Sequence, residues 1–230
     1  SELKEIITAY NESPGQLMVG FNRRFAPLSL KAKELVAGIK EPVIIIYRVN
    51  AGFIPRDSWV HDPLEGGGRI LGEVCHFVDL AQFFAGSPPV KVFATSLIAT
   101  EVYAPDENVA ITLTFANGSI ATITYVASGS KSFPRERVEI FGGGSVCAID
   151  NFKSLVFTQG SKKKRVRNIS RGMGHEEQFS NFFSAIQKGE KSPVDFEEYI
   201  YSSLATFCIE ESLSKSAPVE IEPSLDLAKS

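Results

Sequence analysis

The sequence has few of the residues that mark several common classes of protein. It contains three cysteines, one tryptophan and three histidines among 230 residues. Cys75, Cys147 and Cys208 are odd in number and widely spaced, and no two of them form a Cys-x-x-Cys pair. This usage favours free thiols in a reducing compartment over a disulfide framework, so we expect a cytoplasmic protein.

Long apolar runs and concentrated positive charge are also absent. No apolar run reaches the length of about 18 residues that a membrane span needs, and no basic segment followed by a hydrophobic stretch indicates a secretory signal. The net charge of −3 argues against nucleic acid as a partner. A basic cluster at residues 162–167 offers a patch for an anionic partner, but a solvated hairpin edge explains it without a ligand.

The first 25 residues read as the end of another domain. Residues 2–10 have apolar members at helical spacing, and the run Leu17–Val19 after a Ser-Pro-Gly turn predicts a buried strand. Such a helix-strand unit normally belongs to a parallel sheet. Because no such sheet precedes it and Ser1 is not an initiator methionine, we expect a fragment of a longer polypeptide.

Residues 26–230 read as a second domain with a large sheet. A helix over 29–37 is followed by a β-branched central strand, Val43–Val49, and by a long loop over 50–68. Short strands joined by tight turns then follow from Val90 to Arg167, which predicts an antiparallel meander. The fold class is therefore α/β (α+β), with a mostly antiparallel open sheet.

Two helices near the end of the chain complete the predicted fold. The first has an apolar stripe that we expect in the core, formed by Phe179, Phe182, Phe183 and Ile186. The second begins with a capping-box pattern, Asp195 and Glu198.

The two faces of the predicted sheet differ in kind. Ile111, Leu113 and Phe115 alternate with Ala110, Thr112 and Thr114, and the next strand repeats the threonine side. We expect helices to cover the apolar face. The small, threonine-rich face suits contact with the same face of a second subunit, although simple solvent exposure is the alternative.

Chemistry is predicted between Asp57 and Asp79. Three glycines, Gly66–Gly68, come directly before an amphipathic helix, and glycine allows tight turns and close approach of the backbone to a ligand. One helical stripe is apolar and predicts the core-facing side. The other side is predicted to form the wall of a cleft, with a stray polar rim as the alternative; its members are Arg69, Gly72, Glu73, His76 and Asp79.

Several other kinds of site lack part of their pattern. Glu73-x-x-His76 matches half of a helical di-iron motif, but the second copy is missing. His61 and His76 show no recognised zinc spacing, and Gly129-Ser130 is not part of a nucleophile elbow. Gly66–Gly68 could cradle a phosphate, but no Walker-type lysine accompanies them. We expect no metal.

The sequence resembles the Gfo/Idh/MocA oxidoreductases over nearly its whole length. The resemblance rests on VGFNRRFAP (Val19–Pro27), on the DP-x-x-GGG loop that begins at Asp62, and on His76-x-x-Asp79-Leu80. It implies that residues 1–25 are a remnant of an N-terminal dinucleotide-binding (Rossmann) domain. Residues 26–230 would be the C-terminal substrate-binding and oligomerisation domain.

The resemblance also implies roles for particular residues. His76 would exchange a proton with a substrate hydroxyl while hydride passes to or from NAD or NADP. Many members of the family have an aspartate four residues before this histidine, where this sequence has Gly72, followed by Glu73. Arg23 and Arg24 would face the nicotinamide or an anionic substrate group, with an ion-pair role as the alternative.

The remaining candidates are predicted to bind substrate. Asp57 and Trp59 suit the hydrogen bonds and the ring face of a sugar, and Arg69, Glu73 and Arg135 complete the set. The expected substrate is thus a sugar, cyclitol or related polyol. Neither the dinucleotide motif G-x-G-x-x-G nor the family's Glu-Lys-Pro lysine is present, so the fragment alone is predicted to be inactive. The alternative is a non-catalytic dimerisation module with the same fold.

Overall fold

The computed structural model describes residues 2–62, 64–167 and 172–222. In this part of the chain five α-helices accompany a nine-stranded sheet. The helices are α1 (Glu2–Glu12), α2 (Pro27–Val36), α3 (Cys75–Ala85), α4 (His175–Lys188) and α5 (Phe196–Lys215). The strands are β1 (Ile44–Asn50), β2 (Pro89–Ser96), β3 (Asn108–Phe115), β4 (Ile120–Val126), β5 (Glu136–Gly142), β6 (Ser145–Asp150), β7 (Ser154–Gln159), β8 (Lys162–Arg167) and β9 (Val219–Glu220).

The sheet is mixed but mostly antiparallel, which confirms the predicted class. Its strand order is β8-β7-β6-β5-β1-β4-β3-β2-β9. The pair β1 and β4 is parallel, and the other described pairs are antiparallel. The meander is thus interrupted, because β1 lies between β4 and β5. The middle position of β1 confirms the prediction of a central strand.

One face of the sheet is covered by helices and the other is open. Side chains of alternating residues, such as Ile45, Tyr47 and Val49 in β1, are buried under α2, α3 and α5. The residues between them, such as Ile44 and Ile46, are exposed. The alternation of strand side chains therefore separates the core from an open face, as predicted.

The basic cluster at residues 162–167 is itself the edge strand β8, and most of its side chains are exposed. Charge on an edge strand discourages pairing with a further strand. This placement agrees with the interpretation that the cluster is a solvated strand edge and needs no ligand. No helix of the described part of the chain is long and apolar enough to cross a membrane.

The predicted strand at Leu17–Val19 is wrong, because this segment joins no sheet. Its backbone is instead bound by side chains from distant parts of the chain. Gln178 donates from Nε2 to the carbonyl oxygen of Val19 at 2.6 Å, and Ser192 donates to that of Leu17 at 3.4 Å. Helix α1, which was predicted, packs Leu3 and Ile7 against α5. The proposed domain boundary after residue 25 stays a prediction.

Two further expectations for the last helices are also wrong. The aromatic stripe of α4 is not core, since Phe179 and Phe183 are 53% and 56% exposed. Asp195 occupies the N-cap of α5, but its side chain makes no capping hydrogen bond. The Glu198 carboxylate pairs with Arg24 at 2.8 Å instead of completing a capping box.

Candidate active site

The first residue of the triple glycine packs against an earlier part of the same loop. A Cβ on Gly66 would lie 2.4 Å from the carbonyl oxygen of Trp59 and 2.5 Å from that of Val60. Gly67 and Gly68 have positive φ angles of 66° and 80°, which glycine adopts without steric cost. We expected the glycines to allow close approach of the backbone to a ligand. Instead, Gly66 approaches the backbone of its own loop. Pro63 of this loop lies outside the described residues.

The helical segment after the glycines begins with a π-helical turn. Residues Ile70–Val74 form this turn, and α3 follows directly from Cys75. Turns of this type often occur at functional sites. The predicted apolar stripe is confirmed as core, since all of its members are buried; they are Ile70, Val74, Phe77, Val78, Ala81 and Phe84.

The opposite side of this segment is not a uniform cleft wall. Arg69 is 1% exposed and Asp79 is fully buried, so the expectation that both face a cleft is wrong. Gly72 is exposed, and Glu73 and His76 are half-buried. The error has a physical cause. A charged side chain can be buried when a partner of opposite charge neutralises it, and Arg69 and Asp79 each have such a partner.

The Glu73 carboxylate is held by three side chains. The Tyr125 hydroxyl donates to Oε2 at 2.5 Å, and Arg69 Nη2 lies 3.3 Å from the same oxygen. Arg135 Nη2 donates to the other oxygen, Oε1. Arg69 Nε donates in turn to the Tyr125 hydroxyl. The carboxylate of Glu73 is thereby fixed in place, with both oxygens occupied, three residues before His76.

His76 lies in the first turn of α3. Its ring packs edge-on to Phe21, with 5.5 Å between the ring centroids. Nδ1 is buried and has no hydrogen-bond partner in the described structure. Burial, together with the positive charge of Arg23, lowers the pKa of His76 to about 4. The imidazole is thus neutral at neutral pH, a form that can accept a proton.

A second charge network lies beside His76, and its central residues, Arg23, Tyr47 and Glu136, are buried. Arg23 forms a bidentate ion pair with Glu136, with two contacts of 2.9 Å, and stacks over the Phe77 ring at 4.7 Å. The Tyr47 hydroxyl donates to the same carboxylate. Arg135 Nε lies 3.6 Å from Glu136. Arg135 therefore bridges the carboxylates of Glu136 and Glu73.

Arg24 is committed to a third network. It binds Asp79 through Nη2 at 2.6 Å and through Nε at 3.0 Å, and it binds Glu198 through Nη1 at 2.8 Å. Burial raises the pKa of Asp79 to about 6, although the charge of Arg24 opposes the increase. For Arg23 and Arg24 the structure thus shows the ion-pair alternative. A role for Arg23 and Arg24 at the cofactor stays a prediction. The ion pairs do not favour it, because both guanidinium groups are already bound to carboxylates.

Asp57 and Trp59 are not brought together with His76. Both are exposed on the long loop, and Trp59 is 65% exposed. No contact in the described part of the chain joins either side chain to the Glu73 network. The structure therefore unites His76, Glu73, Arg69 and Arg135 of the predicted set, and leaves the two loop residues at the periphery.

Two residues of the site were missed by the sequence analysis. Tyr125 occupies an inward position of β4, and Glu136 occupies an inward position of β5. A buried tyrosine usually finds a partner for its hydroxyl, and a buried acid nearly always has a charged partner. The alternating pattern of β4 and β5 indicated that both side chains are buried, but it could not show which residues would be their partners.

The arrangement suits proton transfer more than metal binding. In the described ranges no group of three or more histidine, cysteine, aspartate or glutamate side chains could hold a metal ion. A neutral imidazole beside a fixed carboxylate can take a proton from a substrate and return it.

Comparison with known proteins gives one family. The family model described as the GFO/IDH/MocA C-terminal domain matches residues 30–144, half of the chain. The chain is 24% identical over 240 aligned residues to the uncharacterized oxidoreductase YrbE of Bacillus subtilis, covering 99% of this chain and 69% of that protein. It is 26% identical over 157 residues to the inositol 2-dehydrogenase of Rhizobium meliloti, covering 65% of this chain and 46% of that protein.

Solved structures show the same fold. A levoglucosan dehydrogenase in complex with NADH superposes with a TM-score of 0.80 at 20% identity. The match covers 96% of this chain and 70% of the dehydrogenase. At this level of identity the likeness concerns the fold alone.

Proposed function

The chain belongs to the GFO/IDH/MocA family, and from this we propose that it is the substrate-binding and assembly domain of an NAD(P)-dependent oxidoreductase. The relatives include an oxidoreductase and an inositol 2-dehydrogenase, and a structural neighbour is a levoglucosan dehydrogenase. These names support a sugar, cyclitol or related polyol as the substrate, oxidised at a secondary hydroxyl.

The observation that carries the proposal is the state of His76. When an alcohol is oxidised to a ketone, the hydroxyl proton and a hydride of the carbon leave separately. An imidazole that is neutral at neutral pH can take that proton.

The neighbours of His76 are proposed to place the substrate. Glu73 and Arg135 are half-buried and exposed, respectively, so both remain within reach of a polyol. Arg69 is enclosed, and we propose that it acts by holding Tyr125 and Glu73 rather than by touching substrate. Asp57 and Trp59 would contribute from the loop.

The residues of this chain do not fit the dinucleotide itself. The sequence contains no G-x-G-x-x-G motif, and Arg23 and Arg24 are both occupied by buried carboxylates. We propose that residues outside this chain hold the cofactor, and that the chain alone is inactive. The exposed stripe of α4, with Phe179 and Phe183, is an apolar surface that such a further domain would cover.

Substitution of His76 in the full-length protein tests the proposal. With NAD or NADP and a panel of sugars and cyclitols, His76→Asn is expected to lower kcat/KM by about 100-fold or more, because a positioned acid-base group contributes at least that much. Lys163→Asn, at an exposed position of the edge strand β8, is the control and should keep its activity. Activity that survives His76→Asn would show that the assigned role is wrong.

We also propose that the open face of the sheet pairs with a second copy of the chain. Ile44, Ile46, Phe93 and Ile120 are exposed there among threonines. The face also contains Arg137 and Glu139, which pair at 2.8 Å, so charges of both signs are present. A two-fold symmetric contact needs such self-complementarity. The same face also favours the alternative function, a dimerisation module without catalysis.

A further inference from the structure

Residues 97–107, which connect β2 to β3, lie against the long loop and are called here the β2–β3 segment. Arg56 of the loop donates from Nη2 to the carbonyl oxygen of Thr100 at 2.7 Å. The ring of Phe53, also in the loop, packs edge-on to that of Tyr103, with 5.8 Å between the centroids. The β2–β3 segment therefore supports the loop from one side.

The β2–β3 segment also contacts the start of the helical segment that carries the candidate active site. Asp106 accepts a hydrogen bond at Oδ2 from the backbone N–H of Arg69 at 3.2 Å. The side chain of Arg69 belongs to the network that holds the Glu73 carboxylate. The β2–β3 segment thus joins the loop to the residues of the site.

Glu107, at the end of this segment, is a buried acid with one unpaired carboxylate oxygen. Its side chain is fully buried, and Oε2 accepts a hydrogen bond from the backbone N–H of Ala104 at 2.7 Å. The other oxygen, Oε1, has no hydrogen-bond partner among the described residues. An enclosed carboxylate oxygen without a donor is costly, because it has lost its hydration and gained no hydrogen bond in return.

The basic side chain that faces this oxygen is His61 of the loop. Its Nε2 lies 3.9 Å from Glu107 Oε1. This nitrogen is also buried and has no hydrogen-bond partner in the described structure. Within residues 2–62, 64–167 and 172–222, no lysine or arginine lies within 4.0 Å of the Glu107 carboxylate. Two unpaired polar atoms of complementary kind therefore face each other, about 1 Å beyond the length of a hydrogen bond.

We propose that His61 and Glu107 form a latch that positions the loop at the substrate site. His61 Nε2–H donates to Glu107 Oε1 when the loop moves inward by about 1 Å, which satisfies both atoms at once. This bond fixes Trp59 and Asp57, which precede His61 by two and four residues. His61 is a positioning residue, because it acts through the loop and does not touch the reacting atoms. The positioning role rests on the proposed function, whereas the latch itself does not.

Tryptic cleavage after Arg56 in the 230-residue chain tests the latch, because a protease cuts the open form of a loop. His61→Leu removes the donor and keeps a side chain of similar size. We expect cleavage about tenfold faster, since a hydrogen bond to a charged group contributes roughly that factor to an equilibrium. His61→Gln, whose amide N–H can also donate, should restore the original rate. Fragment masses identify the cleavage, and circular dichroism checks that each variant is folded.

Leu64→Ala is the control for this experiment. Leu64 is 97% exposed in the same loop, so its truncation should leave the cleavage rate unchanged. The latch is overturned if His61→Leu is cut no faster than the original chain. It is also overturned if His61→Gln is cut as fast as His61→Leu.

Kinetics of the full-length protein test the positioning role. His61→Leu should raise the KM for the polyol while kcat changes by less than about twofold, because a loosened loop weakens binding without altering proton transfer. Faster cleavage with an unchanged KM would overturn the positioning role. Failure of the proposed function is distinguishable, since it appears as absent polyol oxidation or as activity that His76→Asn leaves intact. Absent oxidation would also end the positioning role, and cleavage after Arg56 would still decide the latch.

Discussion

Around His76, individual side chains are fixed mainly by pairing of buried charges. Arg23, Arg24 and Arg69 are all buried, and each meets at least one carboxylate. A buried pair contributes little net stability compared with apolar packing, but loss of one partner leaves an uncompensated charge. The Arg24 pair with Asp79 is the clearest case, because Asp79 is fully enclosed.

Arg24→Met should therefore destabilise the chain strongly. We expect a loss of roughly 3–5 kcal/mol in the free energy of unfolding at neutral pH, measured by urea denaturation. The loss should shrink as the pH falls towards 6, because removing Arg24 raises the pKa of the buried Asp79 carboxyl further and the variant then takes up the proton before the original chain does. Arg137→Met, which breaks the half-exposed pair with Glu139, should cost less than about 1 kcal/mol. Equal losses for the two variants would contradict this account.

The element that decides the site is the segment from Gly66 to Ala85. Gly66 lies close to the loop carbonyls of Trp59 and Val60, and a Cβ on Gly72 of the π turn would lie 3.0 Å from the Gly66 carbonyl oxygen. The turn leads into the helix that presents His76. Loop and helix thus form one packed unit.

Gly66→Ala tests that packing. The added Cβ would meet two carbonyl oxygens at 2.4 and 2.5 Å, so the loop must move, at a cost of about 1–3 kcal/mol in unfolding free energy. Trp59 is the single tryptophan, so its fluorescence reports the displaced loop directly. Gly38→Ala, whose Cβ meets no heavy atom within 4 Å, is the control. An unchanged spectrum and stability in Gly66→Ala would refute the close contact.

Periodic patterns predicted the elements well. The apolar stripe of α3, the central strand β1 and the alternation of β3 all appear as expected, because period and burial are linked by local geometry. The errors have a different origin. The strand predicted at Leu17–Val19 has no neighbouring strand in the sheet, and the stripe of α4 is apolar but exposed. Strand β1 lies between β4 and β5 and is parallel to β4. This placement depends on contacts between distant parts of the chain, which no local pattern shows.

The site itself was only partly predictable. His76 and Glu73 stood out because they lie on a helix beside glycines. Tyr125 and Glu136, by contrast, reach the site from distant strands. Arg69 and Asp79 were misplaced because a sequence does not show which buried charges find partners.

For the whole molecule, the open face of the sheet is the surface through which we propose that the chain assembles. Ile46, 41% exposed, lies in the central strand, beside Thr122 of β4 and Glu139 of β5. A positive charge at this position would lose its hydration in a two-fold symmetric contact. It would also face the same positive charge on the second copy of the chain.

Ile46→Lys should therefore dissociate the proposed dimer. Sedimentation velocity should show a dimer or larger species for the original chain and a monomer for the variant. Ile6→Lys, at an exposed isoleucine of α1 away from the sheet, should leave the assembly intact. A monomeric original chain, or an Ile46→Lys variant that still assembles, would exclude this face as the interface.

The most direct test of the central claim, that His76 is the proton acceptor, is the pH dependence of kcat/KM for alcohol oxidation by the full-length protein. Only the neutral imidazole can accept the proton, and burial and Arg23 lower the pKa of His76 from 6.5 to about 4. Activity should thus stay level as the pH falls through 6.5 and decline only near pH 4, in a step that His76→Asn removes. A decline centred at 6.5 or above, or one that persists in His76→Asn, would contradict the account.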